Sequence, residues 1–458
     1  MALRQLFTHY RVFRAQRIVS AIGLVCVATL AAAQSDPGPR GGAAGAGGRV
    51  SGLTVKESKF FDSGLDAFEE ISSVTGAVPG TEAGLGPRFN LTSCAGCHAH
   101  PAVGGSSPAV NPQVSVAPTA AQLALVTTMN DIIRSDGPVR EVRFVTDGGV
   151  HDLFTIAGLS GTPVACHISQ PDFTTAMNHG DLRFRIPTPL FGAGLIEAIN
   201  EKAIADNEAA AKPFGIAGHA NRNGNDGTIT RFGWKAQNKS LVIFSGEAYN
   251  VEQGITNELF PDERGESGIP DPAVCHQVVT APQDTVNYDL TQPQKVIDDV
   301  NNFANFMRFL AAPVQASSFG SVTSGQIAAG EAAFNKAGCA ACHMKSMTTG
   351  NHSNASLRFK TAKLFSDLLV HDIGTGDDIG QGIAGGAEFR TAPLWGVGQR
   401  LFFLHDGRTT DLVDVINAHT GEATRVINNF KGVSVGPDAP FNLDATQRQN
   451  LVYFLRSL

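Results

Sequence analysis

The sequence predicts a mainly α-helical chain of two unequal lobes with long loops, the first lobe carrying a large insert. Three observations lead there. The pattern Cys-x-x-Cys-His occurs twice, at Cys94, Cys97 and His98 and again at Cys339, Cys342 and His343. Two stretches with apolar residues at helical spacing close the two halves. Glycine and proline together make up 73 of 458 residues, which favours long loops between modest helices.

The chain begins with a basic start, Arg4, Arg11, Arg14 and Arg17, then the apolar run Ile18 to Leu30 and the small residues Ala31-Ala32-Ala33. That order predicts a secretory signal over 1–33, and hence an exported, periplasmic protein. The run is short for a membrane span. Cys26 lies inside it and is expected to leave with it. The whole chain has 35 basic and 42 acidic side chains. Loss of residues 1–33, with four arginines and no acid, takes the net charge from −7 to −11. An acidic exported chain is a poor nucleic-acid binder. No later stretch is long and apolar enough to span a bilayer, so no membrane span is expected in the mature chain.

Residues 34–57 open with "QSDPGPRGGAAGAGGRV", too rich in small residues to build a core, and predict a flexible leader. The first lobe is expected over 58–312. Its closing helix, Pro293 to Leu310, sets Val296, Val300, Phe303, Met307 and Leu310 on one face. A linker follows at 313–324, then the second lobe at 325–458. That lobe ends in a helix over Asp444 to Leu458, with Leu451, Phe454, Leu455 and Leu458 at i, i+3, i+4 and i+7. With the repeated CxxCH this suggests an internal duplication. His98 to Phe306 spans 208 positions against 111 from His343 to Phe454. The first lobe therefore carries an insert of about 100 residues by that difference.

The chemistry of CxxCH explains the repeat. Two cysteines three apart can take the two vinyl groups of one haem as thioethers, and the next histidine can bind its iron. Zinc usually needs four protein ligands from paired CxxC units, and a redox dithiol has no need of a histidine each time. Two covalent c-type haems, in two cytochrome c-like domains, are the expectation, and an oxidising compartment suits their attachment. Cys166 and Cys275 remain, and could pair as a disulfide there or stay as buried free thiols.

Longer stretches extend the comparison: "TSCAGCHAHPAVGGSSP" (92–108), "HDLFTIAG" (151–158), "RFRIPTPLFGAGLIEAI" (183–199), "RFGWKAQ" (231–237), "EAYNVEQGITNELFP" (247–261), "FSDLLVHDIG" (365–374) and "EFRTAPLWGVGQRLFFLHDGRTTDLVDVINAHTGEA" (388–423). On these the chain resembles the di-haem oxidoreductases, also labelled thiol oxidoreductase-like, which are related to bacterial di-haem cytochrome c peroxidases and to MauG. The resemblance implies an oxidoreductase in which one haem relays electrons and the other meets a small oxidant such as peroxide. It implies a redox partner protein or a small-molecule oxidant as partner. If both irons carry two protein ligands, the chain is instead a periplasmic electron carrier.

In those peroxidases the C-terminal haem takes a methionine as sixth ligand, on the helix after an "HDG" segment. Here that segment is His405-Asp406-Gly407, the helix is "DLVDVINAH", and no methionine follows Met347. His419 is therefore the expected sixth ligand, unless it only caps its helix. His405 and His371 are expected near the same haem, handling protons. For the first haem His151 is the preferred distal candidate, ahead of His167 and His179, and an open site would make this haem the catalytic one. His100 is too near His98 to cross the ring. Met129 and Met177 read as core packing. The peroxidase relatives relay electrons through a tryptophan, a role open here to Trp234 or Trp395, unless these are core aromatics. Glu247 and Glu252 are candidate acid/base groups or ordinary carboxylates. The loop "HANRNGNDGT" (219–228) is oxygen-rich enough for calcium, but lacks EF-hand spacing and reads better as a turn cluster.

Overall fold

The computed structural model describes residues 34–116, 132–148, 150–263, 265, 271–275, 282–285 and 297–458. The expected signal over 1–33, Met129 and Val296 lie outside them. Residues 34–458 form one compact unit, helical with several small sheets. Among the described residues no helix is long and apolar enough to cross a membrane.

Two helix pairs organise it. Helix α1 (Val55–Glu69) starts at Thr54, whose hydroxyl accepts from Glu57 N while the Glu57 carboxylate accepts from Thr54 N. It buries Phe61, Gly64 and Phe68 against α3 (Asp299–Phe309), which follows α2 (Leu241–Gln253). The expected start of α3 at Pro293 is later in the structure, where Asp298 caps Asn301 N. The second pair is α4 (Ser324–Ala337) with α7 (Ala445–Ser457). Between these lie α5 (Leu412–Ala418) and α6 (Thr424–Lys431).

The two helix pairs pack in the same way, side chain by side chain. A Cβ on Gly64 would strike the Asn302 carbonyl, and one on Gly330 would strike the Asn450 carbonyl. Phe306 and Phe454 pack beside the two glycines. One turn on from each glycine, Phe68 meets His98 at 5.9 Å between ring centroids and Phe334 meets His343 at 6.3 Å. Gly64, Phe68, Phe306 and Met307 therefore correspond to Gly330, Phe334, Phe454 and Leu455. Alanine at position 330 would gain up to ~1 kcal/mol of helix propensity. The overpacked contact would cost ~1–3 kcal/mol. Gly330→Ala is expected to lower the denaturation midpoint at unchanged m; an unchanged or higher midpoint would mean that the helices do not touch there.

The insert forms a small domain-like layer. Its three-stranded antiparallel sheet has β1 (Glu141–Phe144) at the centre, flanked by β2 (Val150–His151) and β3 (Leu182–Arg185). Val142, Phe154 and Phe173 fill a core shared with Val74, Leu85 and Phe89 from before the first CxxCH. Cys166 and Cys275 are joined in a disulfide within that core.

The leader is not flexible. Residues 34–50 lie as a strap along the C-terminal helix and the linker. Arg40 N bonds Gly398 O at 2.7 Å, and Ala311 N and Val314 N bond Gly48 O and Gly45 O. Asp36 supplies the carboxylate for Arg456, which is fully buried. Composition misses this because one buried cation needing a counter-ion can hold a strap whose own apolar residues are few and small. The two halves are tied as well. Arg185 and Lys235 both reach the buried Asp377, at 2.6 and 3.1 Å, and His100 Nε2 bonds Gln399 O at 2.8 Å. Strand β4 (Val370–Asp372) pairs with β5 (Glu388–Arg390) beside this junction.

Candidate functional site

The first CxxCH begins a single helical turn, Cys94–Cys97, capped by Ser93 Oγ on Gly96 N. One turn places both thiols on the same side with His98 next in line. His98 Nδ1 donates to Gly105 O at 3.1 Å, and the Thr188 backbone also engages the ring, so Nε2 is the nitrogen left to bind a metal. Burial lowers the His98 pKa to about 4, so the ring is neutral, the form that binds metal. These three residues line a cleft, together with Trp234, Glu247 and Glu252. Burial, then the charges of Glu141, Glu247 and Asp152, push the Glu252 carboxyl up to about 8.

The second CxxCH starts where Gly338, at φ 102°, ends α4. That backbone disfavours any side chain, and it turns Cys339 back against the helix end. His343 Nδ1 donates to Phe365 O at 2.9 Å. Burial again lowers this ring, to about 4. The cleft here is also lined by His371, His405 and His419. His419 ends α5, and its Nδ1 donates to Val415 O at 2.7 Å. Its capping bond therefore also fixes which nitrogen stays available. His405 stacks on Phe389 at 4.2 Å and is lowered to about 4 by burial. His371 sits between Asp367, 3.1 Å away, and Glu422, 3.0 Å away. Burial opposes its charge, but Asp367 raises its pKa well above the ordinary value. Cys342, Asp367 and His371 are close enough to share a metal ion. The thiol, however, is one that haem attachment would consume.

The donor sets fit haem. Each cleft offers two thiols and one neutral imidazole whose second nitrogen is tied to a backbone carbonyl, the usual support for a metal-bound histidine.

Trp234 lines both clefts. Its Nε1 donates to Ile186 O at 2.9 Å, and its ring meets His405 edge-on at 6.4 Å. Trp395 borders a smaller cavity whose lining shares residues with both clefts. His151 departs from expectation. Its Nε2 is 3.1 Å from Asp147, its ring stacks on Phe144, and it is not among the residues described as lining the first cleft. The strand alternation of β2 explains this: Val150 faces the cleft, so His151 faces away. His167 and His179 are exposed. Met177 packs against the insert's core. In the loop 219–228, Asp226 is engaged by Lys239 and Thr228, and Asn223 caps its own turn, as in a turn cluster. Sequence reasoning missed Asp377, Arg390 and Arg400 at the junction, because nothing in their neighbours along the chain marks them.

Among curated proteins none matches the chain. Solved structures similar to it include the diheme peroxidase BthA from Burkholderia thailandensis, with 15% identity over 59% of this chain and 86% of that one, TM-score 0.28. A MauG-like protein associated with microbial copper homeostasis shares 14% identity over 59% and 90%, TM-score 0.29. Kuenenia stuttgartiensis hydrazine synthase shares 20% over 36% of this chain, which spans 59% of the length of that one, TM-score 0.23. A family model described as "Di-haem oxidoreductase, putative peroxidase" matches residues 159–458, a stretch that includes the second CxxCH. With that match over more than half of its length, the chain belongs to the di-haem oxidoreductase family, which implies two haem cofactors.

Proposed function

We propose that this is an exported c-type di-haem oxidoreductase that reduces a small oxidant such as peroxide. Its two cytochrome c-like lobes each hold one haem through Cys94 and Cys97 or Cys339 and Cys342, with His98 and His343 as iron ligands. The haems supply one-electron redox chemistry. The balance is simple. One O–O bond breaks, two electrons from an external donor and two protons are consumed, and two waters leave.

The observation that carries this reading is the asymmetry of the clefts. The second holds His419, with Nε2 available for a second axial bond, so its haem suits electron storage. Among the described residues lining the first cleft, His98 is the sole histidine, while Glu252 and Glu247 are there to move protons. Met307 also lines that cleft, but it corresponds to Leu455 and occupies the same apolar wall of the repeat. Trp234 borders both clefts and suits the relay between haems. His405 and His371 remain beside the second haem as proton-handling or orienting groups.

The test is the protein made in a cytochrome-maturing host. Denatured material should keep the mass of two haems, and the ferric spectrum should show one high-spin and one low-spin centre, the high-spin one reacting with peroxide. A colourless product, or one with the mass of bare polypeptide, would remove the covalent assignment. Two inert low-spin haems would make the chain an electron carrier instead.

A further inference from the structure

Two arginines at the junction between the clefts have no counter-ion. Arg390 and Arg400 both line the second cleft and the smaller cavity whose lining shares residues with both clefts. Arg400 Nε and Nη2 are shielded from solvent and have no hydrogen-bond partner. Its guanidinium lies 5.7 Å from the Trp234 ring, a contact that only partly offsets a buried charge. Arg390 Nε donates to Gly233 O at 3.1 Å, a neutral acceptor. Neither arginine is in an ion pair among the described residues. Several fully buried cations of this fold are paired instead. Arg88 has Asp271 at 3.0 Å, Arg185 and Lys235 have Asp377, and Arg456 has Asp36. Burial alone lowers both Arg390 and Arg400 to about 10, with no carboxylate opposing it. A buried charge is tolerated when it is paired. These two are placed to be paired by something that enters the cleft.

The geometry points to a carboxylate site at Arg400 and Arg390 that takes a propionate of the second haem, so that this haem's propionate edge lies beside Trp234 and faces the first cleft. Haem carries its propionates on the edge opposite the vinyl groups, so the two cysteines and the two arginines would grip opposite edges of one ring. The planar fork of arginine suits a carboxylate better than a lysine would. The inference rests on haem being attached at Cys339 and Cys342, and haem content is therefore measured first in every variant.

The experiment is a spectroelectrochemical titration of the haem-loaded full chain and of Arg400→Met and Arg400→Lys. A cation at the propionate favours the reduced state. In Arg400→Met, with two haems retained, the ferric-to-ferrous ratio of the second haem at fixed potential should rise about tenfold, which is about 59 mV for one electron. The first haem should move far less. Arg400→Lys keeps the charge and guards against failure to fold. Its potential should stay near that of the wild type, while the propionate bending mode of the second haem shifts in resonance Raman spectra. Unchanged potential in Arg400→Met, or an unchanged bending mode in Arg400→Lys, overturns the assignment. So does a wild-type potential that moves on adding acetate while that of Arg400→Met does not, because the site would then hold a diffusible anion. Loss of haem mass in the wild-type protein would instead strike the attachment on which the inference stands.

Discussion

Replacing Glu252 with glutamine should slow peroxide reduction by the haem-loaded protein by about 10²–10⁴-fold, the usual contribution of a positioned acid/base group. The carboxyl lines the first cleft and is buried among other acids. Burial disfavours its charge, and Glu141, Glu247 and Asp152 add to that, raising it to about 8. A group poised there can take a proton from the entering peroxide and return it to the departing oxygen, which an amide cannot do. As a base it works in its ionised form, so wild-type kcat/KM should climb with pH toward about 8, and the variant's profile should be flat across that range. Stability supplies a second readout. The folded-state pKa lies above the unfolded value, so the protonated group's contribution is complete at low pH and is lost as pH rises through about 8. Relative to the wild type, Glu252→Gln should therefore gain stability as pH rises from about 4.5 to about 8, and no more above that. An active variant with an unshifted pH profile would move the proton chemistry elsewhere, with Glu247 the next candidate.

The two CxxCH runs, to which we assign the haems, stood out in the sequence because their chemistry is local. Two thiols and an imidazole within five positions need no tertiary contact to be recognised. The closing helices were legible too, since Phe303 and Met307, or Phe454 and Leu455, mark a buried face by spacing alone. His419 could be placed because it ends a helix of clear amphipathic pattern. His151 could not, because a one-residue step along β2 reverses which side chain meets the cleft, and short strands leave little pattern to fix that parity. The strap at 34–50 was misjudged because its anchor, Arg456, lies at the far end of the chain. Arg390 and Arg400 carry a different lesson. An arginine in a loop looks solvated in any sequence, and only the missing carboxylate around it, a three-dimensional fact, gives it meaning.

The second large effect is expected at His419. In His419→Gly the second haem should pass essentially completely from a low-spin to a high-spin ferric spectrum, with the first haem unchanged. The argument is one of available nitrogens. Four histidines border the second cleft, and the proposed reading already assigns His343 to the proximal side as the histidine of CxxCH. His371 has a carboxylate at each ring nitrogen, Asp367 and Glu422. His405 is stacked flat on Phe389. His419 alone has Nδ1 tied to its own helix, at Val415 O, with Nε2 left over. The change should not unfold the protein, since a lost interaction at a helix C-terminus costs about 0.3–1 kcal/mol against a typical stability of ~5–15 kcal/mol. Added imidazole should restore the low-spin spectrum in the variant, which a distorted or unfolded cleft would not allow. His405→Gly serves as the control and should leave the spin state as it was. If His419→Gly remains low-spin and His405→Gly does not, the axial bond belongs to His405, and the stacking on Phe389 must open when haem is bound.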